Sequence, residues 1–374
     1  MHRSRQSSLY RNPGPRRAVA GVGILAIVLM GSACSKASDS PQGGASQTAS
    51  KDNVVLVESV RSLSNPYHAN WVKGGQFFAD SVGLPLKVIT DEGDSQKQVS
   101  QIKSLLAGGK TVVLNVDPNT SSDTQAIVKA VQESGGFVVT QWNKPDSLNP
   151  WDVGNSWVAH ISFDGNVSGY EIAKRLFDAM GGSGGIIALQ GILDNVPAKQ
   201  RYAGLQKALA ENPNIQLLDQ QTAEWNRNKA FQVTQTLLAK HGDKVKGIWA
   251  ANDDMALGAL QALKAQNLVG KVPIVGVDAV PEALQAIKDG NSGYVATVSS
   301  DAYWQGGAGL ALAYQAATGK LDVGSEDHKN RAFYGKQTVV TKENVADVIT
   351  PPTAESLKPD FANPFLRNTG AITQ

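Results

Sequence analysis

The sequence predicts an α/β protein made of two doubly wound parallel-sheet units in tandem. Strand-length apolar runs alternate with helix-length amphipathic segments from Asn53 onward, and that alternation restarts after Met180. With 374 residues, 41% hydrophobic and 18% charged, the chain has a globular composition and the length for two ordinary domains. A formal net charge of +2 gives no pointer to nucleic acid.

The elements follow in order. "VVLVESV" (54–60) reads as a buried strand, and "YHANWVKGGQFFADSVG" as a helix with Trp71, Phe77, Phe78 and Val82 at mostly helical spacing. "PLKVIT" is a strand, and "SQKQVSQIKSLLAGG" is a helix closed by Gly108 and Gly109. "TVVLNV", "SSDTQAIVKAVQESGG" and "FVVTQW" continue the pattern. After a helix from Gly169 to Met180, "GGIIALQG" (184–191) opens the second unit. "KQRYAGLQKALAENP", "NKAFQVTQTLLAKHG", "DMALGALQALKAQN" and "PEALQAIKDG" read as its helices. "IQLLDQQTA", "GIWAAN", "VPIVGVDA" and "GYVATVSS" read as its strands.

Ahead of these units, residues 1–34 have a basic start that includes Arg3, Arg5, Arg11, Arg16 and Arg17, then "AVAGVGILAIVLMGSAC". A basic region, a short apolar core and small residues make a secretory signal, and the core is shorter than a membrane span. Gly31, Ser32, Ala33 and the sole cysteine, Cys34, resemble a bacterial lipobox, although Gly31 stands where leucine is usual. Cys34 is therefore expected to carry a lipid anchor, and the Ser/Gly/Ala-rich residues 35–52 to be a flexible tether.

In open parallel sheets ligands bind outside the carboxyl ends of the strands. Nearly every strand end here is polar or aromatic: Ser62, Ser64 and Asn65; Asn115 and Asp117; Gln141, Trp142 and Asn143; Asp194 and Asn195; Glu224, Trp225 and Asn226; Asn252 and Asp253; Asp278. Each position alone also suits a helix N-cap or turn. Together with Arg201 they offer amides, carboxylates, a donor fork and flat rings, the complement of a sugar or polyol. Little points to catalysis. His68 and His160 lie near strand ends without metal-ligand spacing, "GGSGG" (181–185) precedes a strand rather than following one, and one of Asp253 and Asp254 is expected to cap the helix starting near Met255. No cofactor is expected.

"AANDDMALGALQALKA", "VPIVGVDAVPEALQAIKDGNSGYVATVSS", "SNPYHANWVKGGQFFAD", "HISFDGNVSGYEIAKRL", "QRYAGLQKAL" and "AEWNRNKAFQVTQTLL" resemble the ribose-binding group of ABC-transporter sugar-binding proteins, over about residues 53–345. The resemblance implies the type I periplasmic binding fold, two domains with a hinge and a ligand cleft between them. The N-terminal domain would be 53–162 plus 301–330 and the C-terminal domain 163–300 plus 331–350, with a tail at 351–374 running along the surface. Hinges would fall near Ser162–Phe163, Ser300–Asp301 and Phe333–Tyr334. It implies ligand contacts from Asn65, Tyr67, His68, Asn115, Arg201, Trp225, Asn252 and Asp278, with Ser300 at the hinge where glutamine is frequent.

One departure bears on the ligand. Many members carry Asp-Arg after the equivalent of "FVVT"; here Gln141, Trp142 and Asn143 follow. Trp142 and Asn143 are thus added to the site, and Trp142, with Trp151 or Trp157 of the long aromatic loop, is a candidate to close over the ligand. A neutral ligand follows, a pentitol or tetritol before an aldose. The implied partner is a membrane permease, and the protein is expected to be a monomer. The alternatives are a sensor of the same fold, an envelope enzyme on sugars using Asp253 or Asp278, and a sugar-responsive repressor. The last requires an N-terminal helix-turn-helix where this chain has a signal segment.

Overall fold

The computed structural model describes residues 48–372. The expected signal segment, Cys34 and residues 35–47 lie outside the described residues. The last residues of the expected tether are packed on the fold: the Ala49 N–H donates to the Ala317 carbonyl at 2.9 Å and Lys51–Asn53 form one 3-10 turn. Among the described residues no helix is long and apolar enough to cross a membrane.

The chain begins β1 (Val54–Val60), α1 (Pro66–Val82), β2 (Leu86–Thr90), α2 (Ser95–Leu106), β3 (Thr111–Val116), α3 (Asp123–Glu133), β4 (Phe137–Gln141), α4 (Pro150–Val153) and β5 (Trp157–Ser162). It continues α5 (Gly165–Ala179), β6 (Gly184–Gln190), α6 (Val196–Glu211), β7 (Ile215–Thr222), α7 (Arg227–His241), β8 (Val245–Ala250), α8 (Asp253–Ala265), β9 (Ile274–Val275), α9 (Pro281–Asp289) and β10 (Tyr294–Ser299). It ends α10 (Ala302–Ala317), α11 (His328–Arg331), β11 (Ala332–Gly335), β12 (Thr338–Val340), α12 (Val345–Val348), α13 (Ala354–Ala362) and β13 (Asn368–Ala371).

Two sheets result, ordered β13-β11-β5-β4-β3-β1-β2 and β12-β10-β9-β8-β6-β7. Both are parallel except for their edge strands β13 and β12. Helices cover both faces of each, so the expected tandem of doubly wound units is the observed fold. Strand alternation sorts the first core. Val112, Leu114 and Val116 of β3 join Ile102, Ile127 and Val131 beneath α2 and α3. The opposite face carries a buried polar stripe, Glu58, Asn115 and Gln141, beneath α1 and α10. Those two helices approach closely because Gly74 and Gly306 lack side chains: a Cβ at Gly306 would lie 1.9 Å from the Trp71 carbonyl oxygen.

The chain passes between the sheets after Ser162 and after Ser299. The third passage, expected at Phe333–Tyr334, lies between Gly335 and Thr338. Phe333 and Tyr334 pair with Ile161 and Ser162 inside the first sheet, and a strand cannot also be a hinge. Residues 351–372 are likewise more than a surface tail. From α12, which packs on α9, the chain crosses a fourth time to α13, whose Leu357 and Phe361 are buried against the first unit, and β13 then pairs with β11. Arg367 fixes this return. Its Nε and Nη2 donate to the Asp360 carboxylate at 2.8 Å each, and its Nη1 donates to Asp301 at 2.5 Å. Asp301 opens α10 with a left-handed φ of 52°.

Arg367→Ala leaves Asp360 buried without its charged donors. It is expected to cost about 2 kcal/mol, a fall of about 4–8 °C in the thermal midpoint. A second test concerns Asp91, just after β2, whose carboxyl burial pushes up to about 7 although the Gly93 N–H donates to it. The folded state then holds this proton more tightly than the unfolded chain. The group's contribution is full below about pH 4 and lost as pH rises towards 7. Asp91→Asn keeps the oxygen facing Gly93, and its midpoint should fall less between pH 4 and 7 than that of the parent protein.

Candidate functional site

The carboxyl ends of the two sheets face each other across one cavity. Arg61, Asn65, Tyr67, His68, Asp117, Trp142 and Asn143 line it from the first unit, and Asn195, Pro197, Arg201, Trp225, Asn252 and Asp278 from the second. Local structure places them. Asn65 caps α1 by accepting from the Tyr67 N–H at 2.9 Å, with Pro66 in the first helical turn, so Tyr67 and His68 project from the helix start. Asn252 caps α8 by accepting from the Met255 N–H at 3.0 Å and faces the cavity as well. It takes the capping role expected of Asp253 or Asp254. Asp253 instead accepts from Tyr294 and Thr297, and Asp254 pairs with Arg227 at 2.8 Å.

Asp117 organises one wall. It accepts from Asn143 Nδ2 at 3.0 Å and lies 3.3 Å from His68 Nε2. Arg201 organises the other. Its Nη1 donates to the Ala251 carbonyl at 2.8 Å and stands 4.0 Å from Asp278, which Asn252 also approaches at 3.4 Å. The guanidinium lies over two indole rings, 5.1 Å from Trp142 and 5.7 Å from Trp225. Burial pushes the Asp278 carboxyl well above the usual range, and Arg201 opposes that shift. Burial likewise raises the Tyr67 phenol, so it stays protonated and able to donate.

Among the described residues, ten buried side-chain atoms have no protein partner, and three of them, His68 Nδ1, Asn143 Oδ1 and Arg201 Nε, are on residues of this site. The cavity walls as a whole carry amide, carboxylate, guanidinium, imidazole and phenol groups, which can both donate and accept. The two units touch around the cavity. Asn195 Nδ2 donates to the Asn119 carbonyl at 3.1 Å while its Oδ1 accepts from Trp225 Nε1 at 2.6 Å, and Ser121 Oγ donates to the Asp194 carbonyl at 2.9 Å.

Nine of the sequence-derived residues meet here: Asn65, Tyr67, His68, Trp142, Asn143, Arg201, Trp225, Asn252 and Asp278. Asn115 does not. It lies within β3, two residues before Asp117, and its side chain points into the sheet face beneath α10, donating to the Gln305 carbonyl at 3.1 Å. Ser300 is buried behind the cavity and accepts from Gln305 Nε2 at 3.2 Å. The aromatic loop also differs from expectation. Trp157 opens β5 fully buried, donating to Thr140 at 2.9 Å, and Trp151 stacks on His328 at 3.8 Å, so of these candidates only Trp142 reaches the cavity. His160 is structural, bonded to Thr140 at 2.9 Å and held neutral by burial. Arg61 and Pro197 were not named from sequence, and Asp117 and Asn195, named there as polar strand ends, were not among the implied ligand contacts. Their signal was position alone, directly after β1, after β3, and at the start of α6.

A family model described as a periplasmic binding protein domain matches residues 57–321. The ribose import binding protein of Salmonella typhimurium is 33% identical over 241 residues, covering 64% of this chain and 77% of that protein. The xylitol-binding protein of Mycolicibacterium smegmatis is 29% identical over 303 residues, covering 81% of each chain. The crystal structure of a twin-arginine translocation pathway signal protein from Burkholderia phytofirmans superimposes with a TM-score of 0.82 at 46% identity, covering 86% of this chain and 99% of that one.

The buried Arg201–Asp278 pair yields a stability test. Arg201→Met leaves a buried carboxylate without its counter-charge and should destabilise the protein by about 3–5 kcal/mol. Adding Asp278→Asn to that variant should restore a large part of the loss in chemical denaturation, which an independent pair would not do.

Proposed function

The chain belongs to the periplasmic binding protein domain family, and on that premise we propose that it captures a neutral polyol or small sugar, a tetritol or pentitol in first place, for an ABC importer. The observation that carries this is one cavity between two units lined by the polar atoms of Asn65, Asn143, Asn252, Asp278 and Arg201 and by the rings of Trp142 and Trp225. A polyhydroxylated guest supplies a donor and an acceptor at each hydroxyl, which such atoms require. The opposed charges of Arg201 and Asp278 favour a guest without net charge. The relative that binds xylitol supports the polyol, and the ribose-binding relatives support the wider sugar class.

In this reading Tyr67, His68, Trp142 and Asn143 hold the guest from one side and Arg201, Trp225, Asn252 and Asp278 from the other. The passages after Ser162, after Ser299 and between Gly335 and Thr338 are the hinges, and a permease reads the closed form. The protein acts as a binder without turnover. It is a monomer held on the outer face of the cell membrane by a lipid on Cys34.

Thermal unfolding of the full chain against sugars, sugar alcohols and nucleosides tests the ligand class. A ligand at about 100 times its dissociation constant adds about 2.7 kcal/mol, a rise of about 5–10 °C. Asp278→Ala should abolish the rise, and a panel without any response refutes the class. The lipid is tested separately. Cys34→Ala should move the protein from the membrane to the soluble fraction, and continued membrane fractionation refutes the anchor.

A further inference from the structure

We propose that Trp142 is the specificity-determining residue that sets ligand length, limiting the cavity to a hydroxylated chain of at most five carbons. The inference rests on the polyol or sugar reading of the cavity and deepens it.

The backbone delivers Trp142 in an unusual way. It follows β4 with φ 63°, a left-handed conformation that bulky residues rarely adopt. Its N–H donates to the Ile161 carbonyl at 2.9 Å, and the next N–H, of Asn143, donates back to Gln141 at 2.6 Å. This tight reversal turns the indole into the space between the units. Strained backbone of this kind persists only where its surroundings fix it.

Three contacts then hold the ring. Its Nε1–H donates to the Tyr67 hydroxyl at 2.8 Å. The Phe163 ring lies 4.9 Å away, tilted by 37°. The Arg201 guanidinium covers it at 5.1 Å. Tyr67 belongs to the first unit, Phe163 to the passage between units and Arg201 to the second, so the indole cannot swing aside while the units are together. Its single polar hydrogen is already used by Tyr67. What Trp142 presents to a guest is therefore volume and an apolar face, a wall rather than a hydrogen-bonding partner.

The space beside this wall is small. The cavity measures about 40 Å³, on a measure by which one water needs roughly 10–15 Å³. A short chain of hydroxyls replaces a few waters there, and a longer one has to press on this wall or project outward. An outward route exists as a larger recess of about 630 Å³ that shares Arg61, Asn65, His68 and Trp225 with the cavity. The test therefore compares chain lengths directly.

Calorimetric titration of the full chain in mild detergent with glycerol, erythritol, xylitol and sorbitol, for the parent protein, Trp142→Phe and Trp142→Leu, decides the matter. The parent should bind erythritol or xylitol best and sorbitol at least tenfold more weakly, the range that one group too many produces in a closed pocket. Trp142→Leu should shrink that ratio at least tenfold, and Trp142→Phe should shift it in the same direction by less. A purely structural role would weaken all four ligands alike and leave the ratio unchanged. If Trp142→Leu fails to unfold cooperatively, the parent series and Trp142→Phe still decide. Sorbitol binding the parent as tightly as xylitol overturns the length limit and leaves the polyol reading standing. No binding of these four, or of aldoses offered alongside, overturns both.

Discussion

Parallel pairing is the constraint on which this molecule depends. Strands that run the same way must be joined by crossover helices, and every strand then ends on the same edge of its sheet. Two such sheets stand with those edges facing. The residues after β1, β3, β4, β7, β8 and β9 converge on one cavity although up to 217 positions separate them, from Arg61 to Asp278. The cavity is a product of strand direction before it is a product of any side chain.

Convergence brings a second requirement, since it buries charge. Arg201 and Asp278 are both nearly inaccessible, 3% and 8% exposed. A buried guanidinium needs partners on every side. Here a backbone carbonyl, a carboxylate and two indole faces supply them, and Nε is left over. Asp117 is treated similarly by His68 and Asn143. Each wall is thus fixed by its own polar cluster.

Behind the first wall, the polar stripe joins the sheet to a passage between the units. Glu58 accepts from Trp71 at 2.5 Å and from Asn115 at 3.3 Å, and burial pushes its carboxyl well above the usual range. Gln141 donates to Asn115 and to the Gln305 carbonyl, and Gln305 donates to Ser300, next to the strained Asp301 that Arg367 grips. The residue before Trp142 is therefore held by the same network that holds the start of α10. Cavity wall and passage between units share one buried scaffold.

The sequence alone carries the parallel α/β class, the order of nearly all the long elements and, through the family resemblance of its motifs, nine residues that line the cavity. Apolar periodicity and the polar residue after each run are local signals, and burial on a sheet face enforces them. It did not determine side-chain direction near a strand end. Asn115 and Asp117 look equivalent in "LNVDP" and share a strand parity, yet Asn115 is still inside β3 beneath α10, while Asp117 lies past the last paired residue and reaches the cavity. It did not reveal that 351–372 returns to the first sheet, because β13 is short and largely exposed and its pairing with β11 is wholly non-local. Nor did it separate Trp142 from Trp151 and Trp157. All three are aromatic residues of one stretch, and only the left-handed turn after β4 and the arrival of Arg201 from the other unit single out the one that walls the cavity.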